Sequence, residues 1–195
     1  MEKRKKALLV GMAIGDGHLN SNSGVALEIS HSGKQLKYLE HKRDILHSLL
    51  GGKRPRIHKR KNRNEYKISK GHRYFRYIKK LLYPNGKKTY TRKMLDYLTP
   101  EAIAIWWMDD GSLGKEKTAL SYHFYTYTSK EEAQIIIDYF KETWNINFYM
   151  IRRQLKCCVA YYLKCRTKEG RKFSILIKDF VIPSMRYKID IGQEQ

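Results

Sequence analysis

Two short apolar runs, each closed by Asp-Gly, constrain this chain more than any other feature. The first is Leu9-Val10-Gly11-Met12-Ala13-Ile14-Gly15-Asp16-Gly17, and the second is Ile103-Ala104-Ile105-Trp106-Trp107-Met108-Asp109-Asp110-Gly111. The final acids, Asp16 and Asp110, stand 94 residues apart (110 − 16), about half of the 195-residue chain. That spacing predicts one structural unit used twice, with one carboxylate per unit at the end of an apolar helix. An acid is badly placed there, because the partial negative charge of a helix C-terminus disfavours it by roughly 0.3–1 kcal/mol. A divalent cation reverses that sign, and Mg²⁺ prefers carboxylate and water oxygens. The glycine after each acid reads as a helix C-cap that uses its freedom at positive φ. Gly11 and Gly15 lie four apart on one helix face, with Ala104 at the matching point of the second run. Small residues so placed let two helix backbones approach.

The charge balance says what such a carboxylate pair works on. There are 40 Lys and Arg against 19 Asp and Glu, a formal net charge of +21 spread along the chain. This excess repels itself in the compact state, and a polyanionic partner relieves it. With 15 tyrosines interleaved among the basic residues, nucleic acid is the leading partner. The composition is that of a folded protein with a real core. No apolar stretch approaches the ~20 residues of a membrane span, so no membrane partner is expected. Lys3 to Ile14 lacks the small-residue cleavage pattern of a secretory signal and reads as a structural helix. Three cysteines, Cys157, Cys158 and Cys165, fit a reducing intracellular setting, cytoplasm or organelle matrix, better than a disulfide framework or a zinc site.

The organisation downstream of each run repeats. After Asp16, a turn at residues 20–24 separates strand candidates, the second being Val25 to Ser30. Gln35 to Leu50 has the apolar spacing of an amphipathic helix, ended by Gly51-Gly52. A basic hairpin around residues 61–64 follows, then a helix from His72 to Leu82. In the second half, Thr99 and Pro100 are an N-cap and first-turn proline. Ala119 to Tyr127 reads as a strand after a Gly-Lys-Glu-Lys turn. Ser129 to Glu132 is a capping box opening a helix to Trp144. Phe148 to Arg153 and Val159 to Lys164 form another hairpin, and Arg171 to Phe180 a last helix. The units are expected at 1–82 and 99–195, with 83–98 as linker.

At these residues the sequence resembles the LAGLIDADG homing endonucleases. The nine-residue motif maps without gaps onto Leu9–Gly17 and Ile103–Gly111. Tyr97 to Pro100 before the second motif and Ile182 to Lys188 near the end resemble the single-chain, two-motif branch. The resemblance implies an α+β fold of two pseudo-symmetric αββαββα units, packed through the motif helices, with saddle-shaped antiparallel sheets gripping DNA. It implies a monomer that hydrolyses one phosphodiester per strand of a long specific duplex site, leaving short 3′ overhangs, with Mg²⁺ or Mn²⁺ as cofactor. It assigns Asp16 and Asp110 as catalytic, metal-binding acids. Gly15 and Asp109, which precede them, belong to the same metal environment. Asp109 points differently from Asp110 on a helix, so it reads as a helix-end residue beside the site and not the primary ligand. Lys88 and Lys188 match the family's lysines, 72 and 78 residues after their acids. Which lysine serves which acid is open at this stage.

Sequence readout is expected from the hairpins, since a two-stranded ribbon fits the major groove. Arg54, Arg56, His58 and Arg60 alternate as if on one strand face, with Lys67 on the next strand. Tyr122, Tyr125, Tyr127, Arg152, Arg153 and Lys164 are the second-half candidates. Asn20, Asn22, Lys61, Arg63 and Lys115 sit at turns that reach outer parts of a site. Most of these basic residues are expected to hold phosphates without reading sequence. Roughly ten phosphate contacts predict a slope near −9 in log affinity against log salt. The competing reading is a binding module on the same scaffold, an intron maturase contacting RNA or a transcription regulator. A histidine-based nuclease lacks support, since the seven histidines are scattered.

Overall fold

The computed structural model describes residues 2–20, 24–61, 63–116 and 119–190. The first half runs α1 (Lys3–Ile14), β1 (Gly17–Asn20), β2 (Ala26–Ser32), α2 (Leu36–Leu50), β3 (His58–Lys59), β4 (Glu65–Gly71) and α3 (Tyr74–Leu82). After a single turn, α4 (Arg92–Leu95), the order recurs: α5 (Pro100–Asp110), β5 (Gly111–Glu116), β6 (Ala119–Thr128), α6 (Lys130–Trp144), β7 (Tyr149–Gln154), β8 (Val159–Arg166) and α7 (Thr167–Ile177). Each half is therefore αββαββα, as expected.

Two four-stranded antiparallel sheets result, ordered β1-β2-β4-β3 and β5-β6-β8-β7. Alternation sends Leu27 and Ile29 of β2, Ile68 of β4, Phe124 of β6 and Leu163 of β8 inward. The opposite face of each sheet is left to solvent. The two motif helices lie between the halves and are buried all round, from Ala7 to Ile14 and from Ala102 to Met108. Trp106 and Trp107 carry α5 into the second half, where they meet Phe124, Phe140 and Phe173.

Local signals set the helix ends. Thr99 Oγ1 accepts the Ala102 N–H at 3.4 Å ahead of Pro100. Ser129 and Glu132 form the reciprocal capping box, at 3.2 and 3.1 Å. Gly51 and Gly52 end α2 with φ of 65° and 64°. No helix among the described residues is long and apolar enough to cross a membrane.

Several expectations fail for physical reasons. β5 continues through Gly114, Lys115 and Glu116 because these pair with Ser121, Leu120 and Ala119, so they are not a turn. α7 begins four residues before Arg171, at Thr167, and ends in a 3₁₀ turn over Lys178–Phe180. The glycine at 170 is inside it because a Cβ there collides with the ring of Tyr122. The basic ribbon is shorter than expected: only His58 and Lys59 form β3, while Arg54 lies before it and pairs with Asp44 at 3.0 Å.

Candidate active site

The two motif helices meet at their small residues. A Cβ on Gly11 would stand 2.7 Å from the Ala102 carbonyl oxygen and 3.1 Å from Ala102 Cβ. The facing residue is therefore Ala102, two residues before the Ala104 expected from sequence. A Cβ on Gly15 would run into the carboxylate of Asp109. The motif glycines also differ in purpose from the expectation. Gly17 and Gly111 are not among the glycines with positive φ, and Gly111 is extended at φ −86°. Space decides them instead: a Cβ would strike the Met12 carbonyl at Gly17 and the Trp107 ring at Gly111.

The acids emerge where the helices end. Asp110 is the last residue of α5, whereas Asp16 lies two residues beyond α1. Asp16 keeps 41% of its side chain in solvent, while Asp109 keeps none. One Asp109 oxygen accepts the backbone N–H of Asp16 at 3.1 Å, and the other is ion-paired with the fully buried ammonium of Lys42. That ammonium also donates to His31 Nε2 at 3.2 Å. His31 therefore carries its proton on Nδ1, facing Gln35 Oε1 at 3.2 Å and Asp16 Oδ2 at 3.5 Å. Burial and then Lys42 push the His31 imidazole down to about 4, so it is neutral. Ligand atoms of Asp16, His31 and Asp109 lie within 4.8 Å of one another.

The two lysines take equivalent places. Lys88 Nζ donates to the Gly15 carbonyl at 3.0 Å. Lys188 Nζ donates to the Met108 and Asp109 carbonyls at 2.6 and 3.2 Å. Gly15 and Asp109 are the same position in the two motifs, so each lysine caps the carbonyl beside one acid. Trp107 Nε1 holds the Lys188 carbonyl at 3.0 Å, and Trp106 Nε1 holds Asp110 Oδ2 at 3.0 Å. Burial lowers both lysines from their ordinary value, against the pull of the three acids. Burial and then Asp109 raise the carboxyl of Asp16. Burial, Asp109 and Asp16 push the Asp110 carboxyl up to about 7. Asp16 and Asp110, both held above the ordinary carboxylate value, with the Asp109 carboxylate beside them, bring together the oxygen donors that suit a hard divalent cation.

The halves differ in one coordinated respect. α2 and α6 are both 15-residue helices, from Leu36 and Lys130, so Lys42 occupies the place of Ile136. The Asp109–Lys42 pair, which joins one residue from each half, thus has Gly15 and Ile136 at the two equivalent places. His31 and Lys42 were not singled out in the sequence. The available signal was a lysine on the inward stripe of α2, between the buried Leu39 and Leu46.

The expected DNA contacts divide. Tyr122 is a correction: it is fully buried, its hydroxyl 3.0 Å from Ser174 Oγ and accepting the Asp190 N–H at 3.3 Å. Tyr125, Tyr127, Lys164 and Arg153 lie on the open face of the second sheet, whereas alternation turns Arg152 to the other side. Asn20, His58 and Lys67 lie on the open face of the first, where Lys67 is paired with Glu28 at 2.6 Å. Arg56, Arg60, Lys61, Arg63 and Lys115 are exposed, with Arg60 3.4 Å from Glu65. Asn22 lies outside the described residues.

Two αββαββα halves with an acid-and-lysine cluster where their central helices end define a class of two-motif nuclease scaffolds. The family model of the LAGLIDADG DNA endonucleases matches residues 6–173, and the chain belongs to that family. It is 24% identical to protein RecA of Mycolicibacterium chitae over 93% of this chain and 45% of that protein, so it spans less than half of that relative. It is 23% identical to DNA endonuclease I-ChuI of Chlamydomonas applanata over 100% of this chain and 98% of that one. The fold superimposes on the homing endonuclease I-WcaI bound to its DNA recognition sequence with a TM-score of 0.81, at 22% identity, covering 98% of this chain and 88% of that one.

Proposed function

We propose that this protein is a site-specific double-strand DNA endonuclease, active as a monomer of units 1–82 and 99–195, that hydrolyses one phosphodiester per strand and leaves short 3′ overhangs. The observation that carries this reading is the equivalence of Lys88 on the Gly15 carbonyl and Lys188 on the Asp109 carbonyl, one half-buried or buried lysine per motif acid. Asp16 and Asp110 are the acids that hold divalent metal, Mg²⁺ or Mn²⁺, with Gly15 and Asp109 adjoining. The bound metal supplies charge neutralisation of the scissile phosphate and a more acidic water. Lys88 and Lys188, depressed by burial, place positive charge where negative charge develops on phosphate. Asp109, held by Lys42, fixes the backbone of Asp16 through the N–H it accepts. A binding-only module has no need of three acids and two lysines held together against their solvation, so cleavage is the reading the geometry favours.

The test is cleavage of plasmid carrying the uninterrupted DNA junction of the gene's insertion site, with Mg²⁺, by the parent and by Asp16→Asn and Asp110→Asn. The parent is expected to linearise it and each variant to lose double-strand cutting. Parent-like cutting by both variants overturns the assignment of the acids. A parent that binds the junction but never cuts it overturns the enzymatic reading.

A further inference from the structure

The open faces of the two sheets carry different chemistry. On the first, β2, β3 and β4 present Glu28, Ser30, Ser32, His58, Lys67 and Ser69, with Glu28 and Lys67 ion-paired and no phenol or indole among the described residues. On the second, His123, Tyr125, Tyr127 and Tyr162 form one contiguous row of rings. Their centroids are 5.9 Å apart for His123–Tyr125, 5.8 Å for Tyr125–Tyr127, 6.0 Å for His123–Tyr162 and 5.2 Å for Tyr125–Tyr162.

The row is built by a break in the ladder. β6 and β8 pair regularly to Phe124↔Leu163 and resume at Thr128↔Tyr161. Tyr125, Thr126 and Tyr127 therefore stand opposite the single Tyr162, so two phenols meet a third at one ladder position. Tyr127 adopts φ of 45° to do so, a left-handed conformation that costs a non-glycine residue energy and is kept where surroundings impose it. The first sheet has no such break between β2 and β4. Lys164, opposite His123, and Arg153, on the same side of β7, put positive charge beside the row.

The geometry of the row bears on what it can meet. Interplanar angles of 18–25° at centroid separations of 5.8–6.0 Å set three of these pairs side by side in near-parallel orientation. Side chains stand roughly perpendicular to a sheet, so such a row turns its outer carbon edges and hydroxyl tips toward a duplex laid on that face. In the major groove only thymine sets a methyl group beside an acceptor, O4. A ring edge covers the methyl while a hydroxyl donates to the oxygen, and the flanking cations take phosphates. We infer that the row Tyr125, Tyr127, Tyr162 and His123 makes the second unit a reader of thymine C5-methyl groups, so that the half-site it covers is thymine-rich while the other half-site is not. The inference rests on the proposed reading of the chain as a duplex-specific endonuclease.

The test selects duplexes from a library with a long randomised segment, using the whole protein in EDTA so that nothing is cut. Thymine is expected to be enriched in one half of the recovered site. Replacing those thymines by deoxyuridine, which deletes only the methyl, is expected to lower affinity about tenfold, as for two buried methyl groups. The same replacement in the other half leaves affinity unchanged. A Tyr125→Ser/Tyr162→Ser double variant, with its circular dichroism unchanged, is expected to bind the thymine and deoxyuridine sites equally. An enriched site without the half-specific thymine bias overturns this inference alone. So does methyl discrimination that survives in the double variant, or a double variant that loses only affinity for single-stranded RNA. A library from which no sequence is enriched overturns the endonuclease reading and this inference together.

Discussion

Asp109 accepts the backbone N–H of Asp16 at 3.1 Å, so the residue beside one motif acid fixes the other across the interface of the two halves. Its remaining oxygen is held by Lys42, which comes from the first half. The composite site is thus tied together by a charged residue that has glycine as its counterpart.

The Lys42–Asp109 pair has no solvent exposure on either side chain. Removing one partner leaves a buried charge without compensation, which typically costs 3–5 kcal/mol. Lys42→Met is therefore expected to destabilise the protein by about 3–5 kcal/mol in urea unfolding. The double variant Lys42→Met/Asp109→Asn is expected to recover most of that loss. Additive effects in this cycle would show that the pair is not coupled.

The Asp110 carboxyl is pushed up to about 7 in the folded chain by burial, Asp109 and Asp16, against an ordinary value of 3.8. The folded state then holds a proton that the unfolded state has released, across the window between those values. Stability is fully present below the lower one and falls as pH rises through the upper one. Asp110→Asn removes this penalty, so in EDTA it is expected to exceed the parent by about 1–3 kcal/mol at pH 8, several degrees in Tm, with the gap closing near pH 4. Thermal unfolding at the two pH values checks this, and a pH-independent gap refutes the assignment.

Lys88 caps the carbonyl of Gly15, and Lys188 caps those of Met108 and Asp109. If each serves one strand, Lys88→Met and Lys188→Met slow different nicks, each by about 10²–10³-fold, the cost of losing one positioned charge. Nicked circles are expected to accumulate with both variants, and end-labelled substrate is expected to show opposite strands left intact. The same strand spared by both variants contradicts the division.

Gly11 faces the Ala102 carbonyl at a distance a Cβ cannot occupy. Gly11→Ala is expected to cost about 1–3 kcal/mol by forcing α1 and α5 apart. Adding Ala102→Gly is expected to restore little, since the closest obstacle is backbone. Full recovery in the double variant would show that the side chain, not the helix backbone, limits the approach.

The sequence by itself determined the repeat, the helix ends that carry their own caps, and the presence of one acid at the close of each motif. These are local or periodic properties: Thr99 before Pro100, Ser129 with Glu132, Gly51-Gly52, and apolar residues at helical or alternating spacing. Each is written within a few residues of where it acts. The tertiary structure alone decided which lysine serves which carbonyl, because Lys88 and Lys188 reach their partners from chain segments 73 and 79 residues away. It alone put Lys42 on Asp109, closed Tyr122 into the core against α7, and gathered Tyr125, Tyr127 and Tyr162 at one ladder break. It also changed the meaning of Gly17 and Gly111 from conformational freedom to space. Burial and close approach are properties of surfaces that meet, and a residue's neighbours across an interface are set by packing of distant elements, which local patterning does not encode.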